Sequence, residues 1–287
     1  MASTEYQPTA GEKDVSTVPS TTGADLNGGN PAIQRYDYGG NPLYHAHTGN
    51  DARLAAFGGE FQPGLYKPTE HRKFANPAPL GLSAFALTTF VLSLVNLQTR
   101  GVAEPNIALS VAYGYGGLVQ LLAGMWEMAV ANTFGATALS SYGGFWISYA
   151  IILTPAFNVL GSYSESATDT ASVLGFFLTG WFIFTFILLV LTLRSTVMFF
   201  SLFLTLDLAF LFLAVSEFAK SNGSATAAVG LQKAGGVFGL LAAFLAWYNA
   251  FAGIADTSNS FFIIPVFHFP WSEKGRESRN KTARETV

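Results

Sequence analysis

Six apolar runs, each long enough to cross a hydrocarbon core as a helix of roughly 20 residues, succeed one another along this chain. They cover about 79–97, 106–130, 136–157, 171–193, 196–219 and 234–255. The first, third, fourth and sixth contain no Asp, Glu, Lys or Arg. Short polar stretches rich in turn residues separate them: QTRGVAEPN at 98–106, ANTFG at 131–135, SYSESATD at 162–169 and KSNGS at 220–224. The pattern predicts an all-α multi-pass membrane protein of six transmembrane helices, because a helix satisfies its backbone polar groups within one segment.

Composition sharpens the reading. The 287 residues are 50% hydrophobic and 15% aromatic but only 11% charged, too apolar for an ordinary soluble domain. Of the 33 charged residues, 14 precede Asn76 and nine lie from Asp256 onward, leaving 10 for the 180 residues between. Three regions follow: an N-terminal tail over 1–75, a transmembrane domain over 76–255 and a C-terminal tail over 256–287. The first tail is rich in Thr, Gly, Asn, Pro and Asp and is expected to be largely disordered, although RLAAFGGEFQPGLY at 53–66 has apolar groups bracketing a turn that suit the membrane surface. No apolar run that would serve as a cleaved signal peptide occurs in it. Lys and Arg near the spans divide nine against three when both termini are placed inside, so both tails are expected in the cytoplasm.

A net charge of -3 with no basic stripe argues against a nucleic-acid partner. Cysteine is absent, and His45, His47, His71 and His268 all lie outside the six runs, which leaves an intramembrane enzyme without a thiol nucleophile or metal ligands at depth. Neither enzymatic activity nor a cofactor is expected.

Glycines within the runs predict close helix contacts: Gly114, Gly116 and Gly117 in the second, Gly143 and Gly144 in the third, and Gly235 to Gly239 in the sixth. Asn76, Pro77 and Pro79 start the first helix, since proline suits an initial turn whose N–H groups lack intrahelical partners. The free N–H groups of that turn also suit a passing anion. Polar residues inside the runs are expensive and therefore candidates for function. Gln120 and Glu127 lie seven residues apart and share a helix face. Gln120 suits either a carboxylate or a helix contact, and Glu127 either the interface or a substrate or proton contact. Asn132 and Thr133 suit the start of the third helix. Asp207 sits near the centre of the fifth run with no Lys or Arg at similar depth, so proton handling competes with a protonated carboxyl bonded across a helix contact.

ANPAPLGL at 75–82, NTFGATALSSYGGFW at 132–146, GFFLTGWFIFTF at 175–186 and AGGVFGLLAAFLAWYNAFAG at 234–253 resemble, in order, the sequence blocks of the acetate uptake transporter family. That family includes bacterial succinate-acetate permeases and fungal ammonia and acetate exporters. LAAFGGEFQPGL in the tail resembles the fungal branch. The resemblance implies a six-helix protomer that assembles into a hexamer in the plasma membrane. Each protomer would have its own route, pinched by Phe85, Tyr142 and Leu206, with Asn76, Pro77, Pro79 and Leu80 at the entrance. Acetate, other short-chain carboxylates and protons are the implied partners beside the lipid bilayer. A narrow apolar ring accepts a methyl group while the Tyr142 hydroxyl faces an oxygen. Because a carboxylic acid of pKa near 4.3 is only about 0.2% neutral at pH 7, transport carries the anion, the rare acid, or anion plus proton. Proton-coupled uptake is the expectation, with a channel-like acetate or ammonium export route, or a membrane sensor of the same fold, as alternatives.

Overall fold

The computed structural model describes residues 74–256, 259–262 and 264–277, so the tail, including 53–66, lies outside the described residues. Among the described residues, six helices are long and apolar enough to span a membrane. They are α1 (Ala78–Asn96), the composite α2 (Asn106–Tyr113) and α3 (Gln120–Ala129), α4 (Thr133–Leu153), α5 (Ala167–Leu191), α6 (Val197–Ser221) and α7 (Ala225–Ile254). Between α2 and α3 the helix continues as a π-helical segment, Gly114–Val119.

Local chemistry sets the ends. Asn76 Oδ1 accepts the Ala78 N–H at 3.1 Å, and Pro79 occupies the first turn of α1. Asn132 caps α4 through the Gly135 N–H at 3.0 Å, and Thr196 caps α6 through the Phe199 N–H at 3.2 Å. α4 stops at Leu153 rather than the expected 157, because Pro155 forces Thr154 into extended backbone with ψ 117°. α7 begins at Ala225 rather than 234. Gln232 and Lys233 interrupt the apolar run there, but alanines before them favour helix, and Gln232 Nε2 reaches Asn96 Oδ1 at 3.4 Å.

Helix α1 packs on α7, α7 on α6 and α6 on α5; on its other side α1 meets α2 and α3, and α3 packs on α4. Aromatic side chains close the seam between α4 and α5, with ring centroids 5.1 Å apart for Phe145 and Trp181 and 6.1 Å for Tyr142 and Trp181. Small residues permit the close approaches. A Cβ on Gly124 would lie 2.4 Å from the Ser140 backbone nitrogen, one on Gly143 2.7 Å from that of Leu121, and one on Gly239 2.3 Å from Ser93 Oγ. Gly114 and Gly144 have nothing within 4 Å, so the expectation of close contact fails for these two inside the protomer.

Beyond α7 the chain returns as a strap. Phe267 accepts the Val197 N–H at 2.8 Å, Thr196 and His268 form an antiparallel bridge, and Trp271 Nε1 donates to the Leu193 carbonyl at 2.7 Å. Phe269 meets Phe200 at 5.7 Å and stacks on Trp271 at 4.8 Å. The strap therefore holds the turn between α5 and α6.

Candidate functional site

Successive spans run in opposite directions, so α1, α4 and α6 begin at one end of the bundle, here the near end. A cavity of about 400 Å³ lies toward that end, walled by the first halves of α1, α4 and α6, by the end of α5 and by Gln120 of α3. A second, of about 300 Å³, lies toward the far end, walled by the other halves of α1, α4 and α6 and by the first halves of α5 and α7. Phe85 and Leu206 stand in both walls and form the neck between them. Tyr142 joins the near-end wall, its ring centroid 6.1 Å from that of Phe85. All three residues of the expected pinch thus come together from α1, α4 and α6. The Tyr142 hydroxyl shares a hydrogen bond of 2.9 Å with Thr185 Oγ1 of α5, and the rings of Phe184 and Phe203 lie 5.8 and 6.4 Å away.

The remaining candidates separate. Gln120 is wholly buried in the near-end wall, and neither amide atom has a hydrogen-bond partner. Glu127 is buried below it, outside the wall, where its Oε2 accepts from Asn132 Nδ2 at 2.6 Å. Its carboxyl fixes the Asn132 side chain that caps α4, a placement that suits the positive end of a helix dipole. Ala131 adopts φ +62° in the same turn. Asn76, Pro77 and Leu80 are not wall residues: Leu80 is exposed, and Pro79 is buried against Gly253, where a Cβ would come within 2.8 Å of its Cγ. Of the ANPAPLGL motif, Ala78 and Leu82 reach the cavity. Asp207 is buried with Oδ1 unpartnered and lines neither cavity, consistent with its step of about 100° from Leu206 around the helix.

Three contributors were missed in the sequence. Arg194 and Ser195, at the turn held by the strap, enter the near-end wall. Arg194 has no ion pair among the described residues, and Ser195 Oγ is buried without a partner. Both fall in a loop by hydropathy, which hides their place in the wall. Thr185 is the third, and its lone hydroxyl within GWFIFTFILLV was the available clue. Among the near-end wall residues there is no Asp or Glu, and the N-termini of α4 and α6 add partial positive charge.

A bundle of six candidate spans, with cavities toward opposite ends and an apolar neck between them, defines a multi-pass α-helical membrane protein organised around a central route. The chain belongs to the GPR1/FUN34/yaaH family, whose model matches residues 57–271. It is 65% identical over 258 residues to acetate permease A of Emericella nidulans, covering 88% of this chain and 85% of the relative. It is 50% identical over 224 residues to ammonia transport outward protein 2 of Saccharomyces cerevisiae, covering 78% and 77% of the two chains. Among solved structures, that of the bacterial acetate channel SatP matches with a TM-score of 0.58 and 32% identity, over 68% of this chain and 99% of that one.

Proposed function

We propose that this protein is a plasma-membrane permease that takes up acetate and other small monocarboxylates together with a proton, each protomer of a hexamer through its own route. Both termini then lie in the cytoplasm and the near-end cavity is the inner one. The observation that carries this reading is the neck of Phe85 and Leu206 between two opposed cavities, in a chain 65% identical to an acetate permease. An apolar neck penalises a bare carboxylate and passes a methyl group with a neutralised head far more readily.

Uptake of labelled acetate into proteoliposomes, with and without an imposed pH gradient, tests the reading. Accumulation driven by an inward proton gradient is the expected result. Equal flux with and without the gradient indicates a channel, and no flux a sensor. Export of ammonia, the transport named for the yeast relative, is the second reading, and labelled methylammonium in the same vesicles separates it. A near-end wall with Arg194 and no carboxylate favours acids over ammonium.

Proton handling has two candidate carriers, Asp207 and the substrate. Asp207→Asn separates them, since asparagine preserves shape but cannot release a proton. Because Asp207 lines neither cavity, the variant is expected to keep both its uptake and its pH profile. A flattened profile in proteoliposomes places the proton on Asp207.

A further inference from the structure

The Gln120 side chain is wholly enclosed, its Oε1 and Nε2 both lack hydrogen-bond partners, and it shares the near-end wall with Phe85, Tyr142 and Leu206. It is also the first α-helical residue after the π-helical segment, a distortion that is frequent at functional sites. A buried amide with both poles unpaired is costly and rare, and it calls for a partner. That partner must bring a donor for Oε1 and an acceptor for Nε2. A neutral carboxylic acid carries both on one carbon and closes a two-bond ring with the amide. A carboxylate carries two acceptors and no donor, so it satisfies Nε2 while its second oxygen repels Oε1.

Charge around the amide agrees with this. On its own helix the titratable group is Glu127, seven residues on and held by Asn132. From α4 the titratable groups are Tyr142, bonded to Thr185, and Tyr149, which lines the other cavity. Helix α1 has none; α2 and the π-helical segment carry Tyr113 and Tyr115. The one cation in the cavity wall is Arg194, in the turn after α5 at the near end, whereas Gln120 lies roughly 13 Å along the helix from the end of α3.

We propose that Gln120 binds the substrate as the neutral acid beside the neck, so that the proton crosses between Phe85 and Leu206 on the substrate's own oxygen. The inference rests on the acetate reading and deepens it. After the neck the acid moves toward Arg194, gives its proton to water and leaves as the anion.

Competition against labelled acetate uptake in proteoliposomes of the full chain tests this, with flux through protein-free vesicles subtracted. Acetamide is neutral, close to acetic acid in size, and carries a donor and an acceptor. Methanesulfonate keeps the methyl group but has a fixed negative charge and no donor. Acetamide is expected to compete at least tenfold more effectively than methanesulfonate. Methanesulfonate as the equal or better competitor overturns the proposal. Gln120→Leu should lower uptake by about tenfold, as expected for two lost neutral hydrogen bonds, and should abolish the preference for acetamide. A folded Gln120→Leu protein with wild-type uptake and preference also overturns it. Should the leucine variant fail to fold, Gln120→Met decides: a side chain of similar length that lacks the amide's donor and acceptor should likewise lower uptake by about tenfold and abolish the preference for acetamide. A folded Gln120→Met protein with wild-type uptake and preference overturns the proposal as well. Absence of any acetate uptake by the wild type refutes the acetate reading and this inference with it, whereas uptake with the wrong competitor order refutes this inference alone.

Discussion

The two cavities differ in how their polar groups are spent. In the far-end wall Glu217 and Lys220 form an ion pair of 2.6 Å, and Gln232 bonds Asn96. Its fully buried polar atoms without a hydrogen-bond partner are the Thr89 hydroxyl and the Trp146 indole N–H. In the near-end wall Arg194 has no ion pair among the described residues, Ser195 Oγ has no partner, and the Gln120 amide has neither of its two. Both chambers keep unpartnered polar atoms, but the charges of one are internally neutralised and the other keeps a positive charge. An anion gains little in the first and more in the second, so the route is electrically asymmetric about its neck.

Removing the neck should produce the largest change. Leu206→Ala joins the cavities and is expected to raise lactate uptake relative to acetate by about tenfold, the order that one methylene in an apolar site discriminates. Competition assays in proteoliposomes read this ratio, and an equal fall for every acid would take Leu206 out of the selecting ring. Tyr142→Phe removes the bond to Thr185 and should lower acetate uptake roughly fivefold, the worth of about one buried hydrogen bond, with an unchanged elution profile on size exclusion. Arg194→Gln should weaken acetate binding from the near end by about threefold, with a reduced sensitivity to salt. Lys220→Gln, which touches a charge already paired, should change uptake by less than about twofold. A larger effect from Lys220 than from Arg194, measured by efflux and uptake in oriented vesicles, would reverse the asymmetry.

The spans were legible because burial in lipid leaves a coarse, long signature: runs free of charge with turn residues between them. Their ends were less so. Pro155 cut α4 short, and the polar residues Gln232 and Lys233 masked the first turns of α7, since an average over hydropathy cannot tell a side chain in an aqueous vestibule from one in a loop. Phe85, Tyr142 and Leu206 could be named only through resemblance; in composition they are three of many apolar residues. Gln120 stood out as an amide at depth, but its lack of partners depends on how α1, α3 and α4 meet. Arg194 and Ser195 were invisible as wall residues because the turn that carries them is held by contacts from Phe267, His268 and Trp271, some 70 to 80 positions away in the chain.

That long separation orders events during biosynthesis. The turn carrying Arg194 emerges from the ribosome well before the segment that holds it, and α6 and α7 must be inserted in between. Until Trp271 reaches the Leu193 carbonyl, the near-end mouth lacks its final brace even though the six described spans are in place. A nascent chain halted after α7, or one clipped ahead of the strap, would have all six described spans and an unfinished near-end opening. Maturation of the mouth is then a step separable from membrane insertion.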